Sequence, residues 1–206
     1  MSRLRLKAGA SIFVLKIFHN VKQIKMSVYY PSGCDALIPD HICDPCEEIE
    51  QGRIRSIAFI KNTFAFVDPS NPTEWETGYA SGDIILIPQT KGTFDGGAEV
   101  EAPGYGDQAT RLTGYNFQLQ YQDPNYRLNC NFYNAIKNSR SYKVAYRTST
   151  QIHISDTTVQ VIPKNPVQDD TTTEVVWDVL VKWSGSDVPC PFDVPAGIFD
   201  ACVANS

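Results

Sequence analysis

No stretch of this 206-residue chain approaches the ~20 consecutive apolar residues that a membrane-crossing helix needs, so no membrane partner is expected. Histidine is scarce. Of the three present, His19, His41 and His153, the last lies between Ile152 and Ile154 on the polar face of an expected strand and reads as a solvated side chain. Gly-x-Ser-x-Gly, a Gly-rich phosphate loop, His-Glu-x-x-His and the deaminase His-x-Glu are all missing. The carboxylates Glu47, Glu48 and Glu50 form a charge run of the kind that makes a wet face. The acids of the loops, Asp95, Glu99, Glu101, Asp107, Asp169 and Asp170, lack the regular spacing of a calcium loop. The expectation is a protein that is not an enzyme, with no catalytic or cofactor-binding residues.

Basic residues also run short once the first 25 positions are passed. Arg3, Arg5, Lys7, Lys16, Lys22 and Lys25 stand there without a single acid, which leaves 12 cations against 23 acids and a net charge of −11 for residues 26–206. A body so acidic holds nucleic acid poorly and suits a wall past which it must slide. On charge alone, simple solubility is the plainer explanation.

Six cysteines are too few for a disulfide scaffold of this length. The sharpest cluster is Cys34, His41, Cys43 and Cys46, in which Cys43-x2-Cys46 could place two thiolates on one metal and His41 or Cys34 could complete a tetrahedron. A second Cys-x2-Cys is missing, and no βαβ unit follows to support a thioredoxin-like site. Free thiols, a local disulfide and a structural zinc stay open, with zinc as the one candidate cofactor.

What the chain has in quantity is aromatic and β-branched residues, with ten Tyr, ten Phe, and 13 Gly and 13 Pro to punctuate them. From Thr110 to Trp183 apolar and polar residues alternate. Tyr115, Phe117, Leu119 and Tyr121 fall on one face, with Asn116, Gln118 and Gln120 on the other, and Val175, Trp177, Val179, Val181 and Trp183 repeat the pattern. The fold class expected is β-dominated α+β: an antiparallel sandwich or small barrel with one flanking helix, a long protruding loop and extended termini.

Four regions follow. Residues 1–25 make a basic arm, an extension preceding a true start at Met26, or an export signal spoiled by Lys16. Residues 26–52 form a Cys-containing N-terminal segment, residues 53–188 the main β domain, and residues 189–206 an extended tail punctuated by Pro189, Pro191 and Pro195. Within the domain, residues 54–60 and 64–68 read as a strand pair, 69–82 as a loop, and 84–87 as a short strand that Pro88 confines to an edge or an end. Residues 91–108, KGTFDGGAEVEAPGYGDQ, read as a protruding, structureless loop. Asp123 is a good N-cap and Pro124 a good first residue for a helix over 124–138, with Leu128, Phe132, Ala135 and Ile136 as its stripe. Strands are expected over 110–122, 142–148, 151–155, 158–163 and 173–184.

This order of a strand, an Asp-Pro helix, a hairpin and then VIPKNPVQDDTTTEVVWDVLVKWS resembles the tail-tube and related structural proteins of tailed bacteriophages. GRIRSIAFI after a Cys-x2-Cys is similar to structural proteins of phages of gut Bacteroidetes. The resemblance covers residues 26–195 and implies a virion protein that stacks as rings around a channel. Its partners would be further copies of itself, other virion proteins, and DNA that passes without specific binding. The cysteine cluster and the basic extension depart from the usual tube pattern, which keeps a capsid-decoration, connector or head-fibre role in play. The interface expected on this basis comprises Lys91, Phe94, Tyr105 and Asp107 of the loop, with Trp75 as an anchor between Glu74 and Glu76. A receptor- or carbohydrate-binding module would instead use Trp75, Tyr79, Tyr105 and Tyr126, and a small hydrolase or metalloprotein would be built on the cysteines.

Overall fold

A computed structural model describes residues 41–42, 50, 52–107, 109–169 and 172–199. The chain divides into two units, Met1–Glu47 and Glu48–Ser206. Of the first, only His41 and Ile42 are described, and both are exposed.

The second unit is a β-sandwich of two antiparallel sheets with two short helices. One sheet contains β1 (Ser56–Lys61), β2 (Ile84–Ile87), β6 (Tyr142–Arg147), β7 (Gln151–Ile154) and β10 (Pro191–Asp193), in the order β10-β7-β6-β1-β2. The other contains β3 (Lys91–Phe94), β5 (Arg111–Asp123), β8 (Gln160–Lys164) and β9 (Trp177–Gly185), in the order β3-β5-β9-β8, and β4 (Ala98–Ala102) also pairs with β5. We call them the inner and the outer sheet.

The alternation of β5 and β9 works as expected. Phe117, Leu119, Tyr121, Trp177, Val179, Val181 and Trp183 are buried against Ile57, Phe59, Val144 and Tyr146 of the inner sheet. Here the rings of Phe94, Phe117 and Trp183 stack, the Phe94–Trp183 pair lying 5.7 Å apart and nearly parallel. The inner sheet is covered on its other face too. Ala58, Ile60, Ile84, Ala145 and Ile152 form a second core with Trp75 and Phe199. This explains why Ser56–Ile60 is buried at every position and reads as a continuous apolar run rather than an alternation.

Four expectations need correction. Residues 69–82 are not a loop, because α1 (Pro72–Ala80) runs through them, with Asn71 Oδ1 accepting from the Thr73 amide and Pro72 at the first turn. Residues 64–68 do not pair as a strand, and Phe64 and Phe66 pack instead on the second core. The helix expected over 124–138 is only α2 (Cys130–Ile136). Asp123 does not cap it: the residue ends β5, and Leu128 of the expected stripe is 85% exposed. Lastly, the tail does more than cross the surface, since β10 pairs with β7 and Phe199 is buried.

Candidate interaction surface

The outer face of the outer sheet is the polar half of the alternation. Asn116, Gln118, Gln120 and Gln122 form a column of amides along β5. Asp178, Leu180, Lys182 and Ser184 stand opposite on β9, then Gln160, Ile162 and Lys164 on β8, with Lys91 and Thr93 on the β3 side. Hydrogen bonds tie the rows together, from Gln120 Nε2 to Asp178 Oδ1 (2.8 Å) and from Ser184 Oγ to Asn116 Oδ1 (2.7 Å). Three lysines and one aspartate make this face cation-rich on an otherwise acidic body.

The segment 91–108 is a correction in its own right. It is not structureless: β3 joins the sheet, a turn follows, and β4 pairs with the N-terminal part of β5. The turn depends on its glycines. Gly96 and Gly97 have φ of +79° and +95°, and a Cβ on Gly97 would lie 2.5 Å from the Phe117 ring. Asp95 Oδ1 accepts from the amides of Gly97 and Gln118, which locks the turn onto β5.

Beyond the turn the sandwich ends and the ribbon continues. Ala98, Glu99, Val100 and Glu101 of β4 are exposed in succession, as are Arg111, Leu112 and Thr113 of β5. A strand that buries neither face has left the core. The described residues of 98–113 therefore form a projecting two-stranded ribbon with Glu99, Glu101 and Asp107 as its acids. Tyr105 (86% exposed) and Leu112 (49%) are among its apolar groups. Among the described residues the other sheet edges are protected. Pro163 lies within β8, Pro191 opens β10, β2 stops at Pro88, and Ile54 bridges to Gly92 on β3. β4 contains no proline and has a neighbour on one side only.

At the same end of the sandwich a cleft of about 470 Å³ opens beside β8 and β9. Arg140, Lys182, Asn116, Thr157, Gln160 and Ser184 are among the residues lining it, with the edge of Trp183. No carboxylate lines the cleft, and neither Arg140 nor Lys182 makes a salt bridge among the described residues.

Two carboxylates hold the frame. Asp123 is fully buried and accepts from the Asn125 amide, Asn125 Nδ2, Asn129 Nδ2 and Tyr133 Oη, which pins the 124–129 turn and α2 to the end of β5. Burial, with Tyr121 and Asp123 close by, raises the Tyr133 phenol far above its ordinary range and keeps it a donor. The Tyr121 hydroxyl is buried beside it without a hydrogen-bond partner of ordinary geometry. Glu50 grips the β6–β7 turn, accepting from the Ser149 and Thr150 amides and the Thr150 hydroxyl. Hydrogen bonds from the Thr148 and Thr150 hydroxyls, then from the amides, lower its carboxyl from 4.5 to about 2. The clamp is therefore intact above pH 4.5 and weakens as pH falls toward 2. The Thr150 amide shift should titrate with a midpoint near 2 and lose that step in Glu50→Gln. A midpoint at the ordinary carboxylate value would mean that the clamp does not form.

The expected site residues go to different places. Tyr105 and Asp107 lie exposed at the end of the ribbon, and Lys91 is exposed on the polar face. Phe94 is stacked in the main core and Trp75 is 0% exposed in the second, its indole N–H donating to the Pro69 carbonyl, so neither is available to a partner. Trp75, Tyr79, Tyr105 and Tyr126 do not form one aromatic cleft, since Tyr126 lies against Trp177 and Trp75 is enclosed in the second core. His153 is not simply solvated: it stacks on Tyr146 at 4.9 Å, with Nδ1 3.2 Å from the Pro189 carbonyl. Of the zinc candidates, His41 is exposed, while Cys34, Cys43 and Cys46 lie outside the described residues. Among the described residues no three His, Cys, Asp or Glu side chains gather as a metal site. Arg140 and Lys182 were missed because their cleft forms only where β8, β9 and the turn before β6 converge. Comparison with family models, curated proteins and solved structures finds no match.

Proposed function

We propose that this chain is a non-enzymatic virion subunit that works by self-association, forming a ring or tube of the tail-tube or connector kind through which DNA passes. The observation that carries the reading is the ribbon of residues 98–113. It buries nothing within its own subunit, leaves one strand edge open, and exposes apolar side chains that a lone molecule has no use for. The net charge of −11 over residues 26–206 supports a channel that does not trap DNA. The cation-rich face of the outer sheet suits a neighbouring subunit better than the lumen, where its lysines would retard a polyanion.

Negative-stain microscopy and sedimentation of the purified protein test this directly. Rings or tubes are the expected result, and a monodisperse monomer at high concentration would sink the proposal. A variant in which a short Asn-Gly turn replaces residues 101–112 should remain monomeric while melting within a few degrees of the parent, because the segment contributes nothing to either core.

A further inference from the structure

The ribbon constrains its own partner. Glu99, Glu101 and Asp107 on one copy face repulsion from the same residues on another, so two ribbons do not pair edge to edge in a symmetric contact. The ribbon's three acids outnumber its one cation, Arg111, and so favour a basic partner surface. The cation-rich outer face provides one, and where that face meets the Arg140–Lys182 cleft it becomes concave, with no acid among the cleft's described lining residues.

The cleft also lies in the right place. The ribbon pairs along the β4 side of β5, while the cleft runs from Asn116 and Phe117 of β5 across β9 to Gln160 of β8. The two are adjoining but distinct surfaces, and within one subunit neither Glu99 nor Glu101 makes a salt bridge with Arg140 or Lys182 among the described residues. A feature that complements a different feature of the next copy gives a head-to-tail contact, the type that closes into rings or extends into tubes.

We infer that the acidic ribbon of one subunit docks in the Arg140–Lys182 cleft of the next. Glu99 and Glu101 meet the two cations, and the amide and hydroxyl groups of Asn116, Thr157, Gln160 and Ser184 stand ready for hydrogen bonds. The inference rests on the self-association proposed above and names the surfaces that perform it.

A charge swap between two variants tests it. One carries Glu99→Lys with Glu101→Lys, the other Arg140→Glu with Lys182→Glu. All four side chains are exposed, so both proteins should melt like the parent. Alone, each presents like charges across the contact, and the concentration needed for assembly, read by sedimentation, should rise by about tenfold or more. Mixed in equal amounts they restore opposite charges at both contacts, and assembly should return. An unassisted Arg140→Glu/Lys182→Glu protein that assembles like the parent overturns the inference, and shows that another basic segment, such as residues 1–25, receives the ribbon. A mixture that stays unassembled while each variant folds overturns it as well. If the parent itself never assembles, both the inference and the proposed function fail, whereas a parent that assembles with indifferent variants removes the inference alone.

Discussion

Replacing Trp75 by alanine is expected to cost about 3–5 kcal/mol, the usual range for removing a buried large aromatic. The indole is fully enclosed, lying against Phe66 at 4.6 Å and Phe199 at 5.2 Å between ring centroids, over the Ala58–Ile60 face of β1. Its N–H holds the Pro69 carbonyl at 2.7 Å and so fixes the entry to α1. Against a total stability of about 5–15 kcal/mol, that loss lowers the melting temperature by many degrees. The measurement separates two roles. An interface tryptophan would leave the isolated subunit's melting unchanged and weaken only assembly, whereas a core tryptophan destabilises the monomer itself. Loss of assembly with undisturbed melting would contradict the packing described above.

The second large effect belongs to Asp123. Asp123→Ala removes the acceptor for four hydrogen bonds and strands the Tyr133 hydroxyl inside the core, at a cost of about 3 kcal/mol or more. Two companion substitutions sharpen the test. Tyr133→Phe should cost about 1.5–3 kcal/mol because it deletes a bond to a charged acceptor. Tyr121→Phe, at the neighbouring ring whose hydroxyl has no hydrogen-bond partner of ordinary geometry, should be nearly neutral or stabilising. Chemical denaturation of the three variants gives the order directly. If Tyr121→Phe were as damaging as Tyr133→Phe, the assignment of the buried proton donor to Tyr133 would be wrong.

These two residues also show where sequence reading stopped. Strands with one solvated face were legible because alternation is a local signal, and so β5, β9 and most of their inward side chains were found, although Val175 lies before β9 and is exposed. Pro88 correctly marked β2 as an edge strand. The second core was invisible. Its members come from β1, β2, β6, β7, α1 and the segment after β10, and nothing within α1 announces burial beyond Trp75 and Gly78. Gly78 falls within the span read as a loop, yet a Cβ there would sit 2.4 Å from Ile84 Cδ1, so the glycine marks close packing of α1 on β2. Asn71-Pro72 was the missed signal, a serviceable N-cap followed by a proline at the first turn.

Asp123-Pro124 misled in the opposite direction. Asp before Pro is a sound helix start, but a carboxylate that is needed inside by Tyr133 cannot also cap a surface helix. That competition appears only when α2 has been folded back onto β5. The glycines and acids of 91–108 were likewise read as a lack of structure, whereas they serve a tight turn and an exposed ribbon. The reading of that segment as protruding agrees with the ribbon, and the reading of it as structureless does not.

The ribbon also matters to the order of events during folding. Its two strands are neighbours in sequence, joined through residues 103–110, so their pairing is local and can close on the microsecond scale of an isolated hairpin. The remainder waits on distant partners, since β1 must find β6 and Glu50 must reach Thr150, 100 residues away. A half-finished chain can thus pair its ribbon before β1 has found β6.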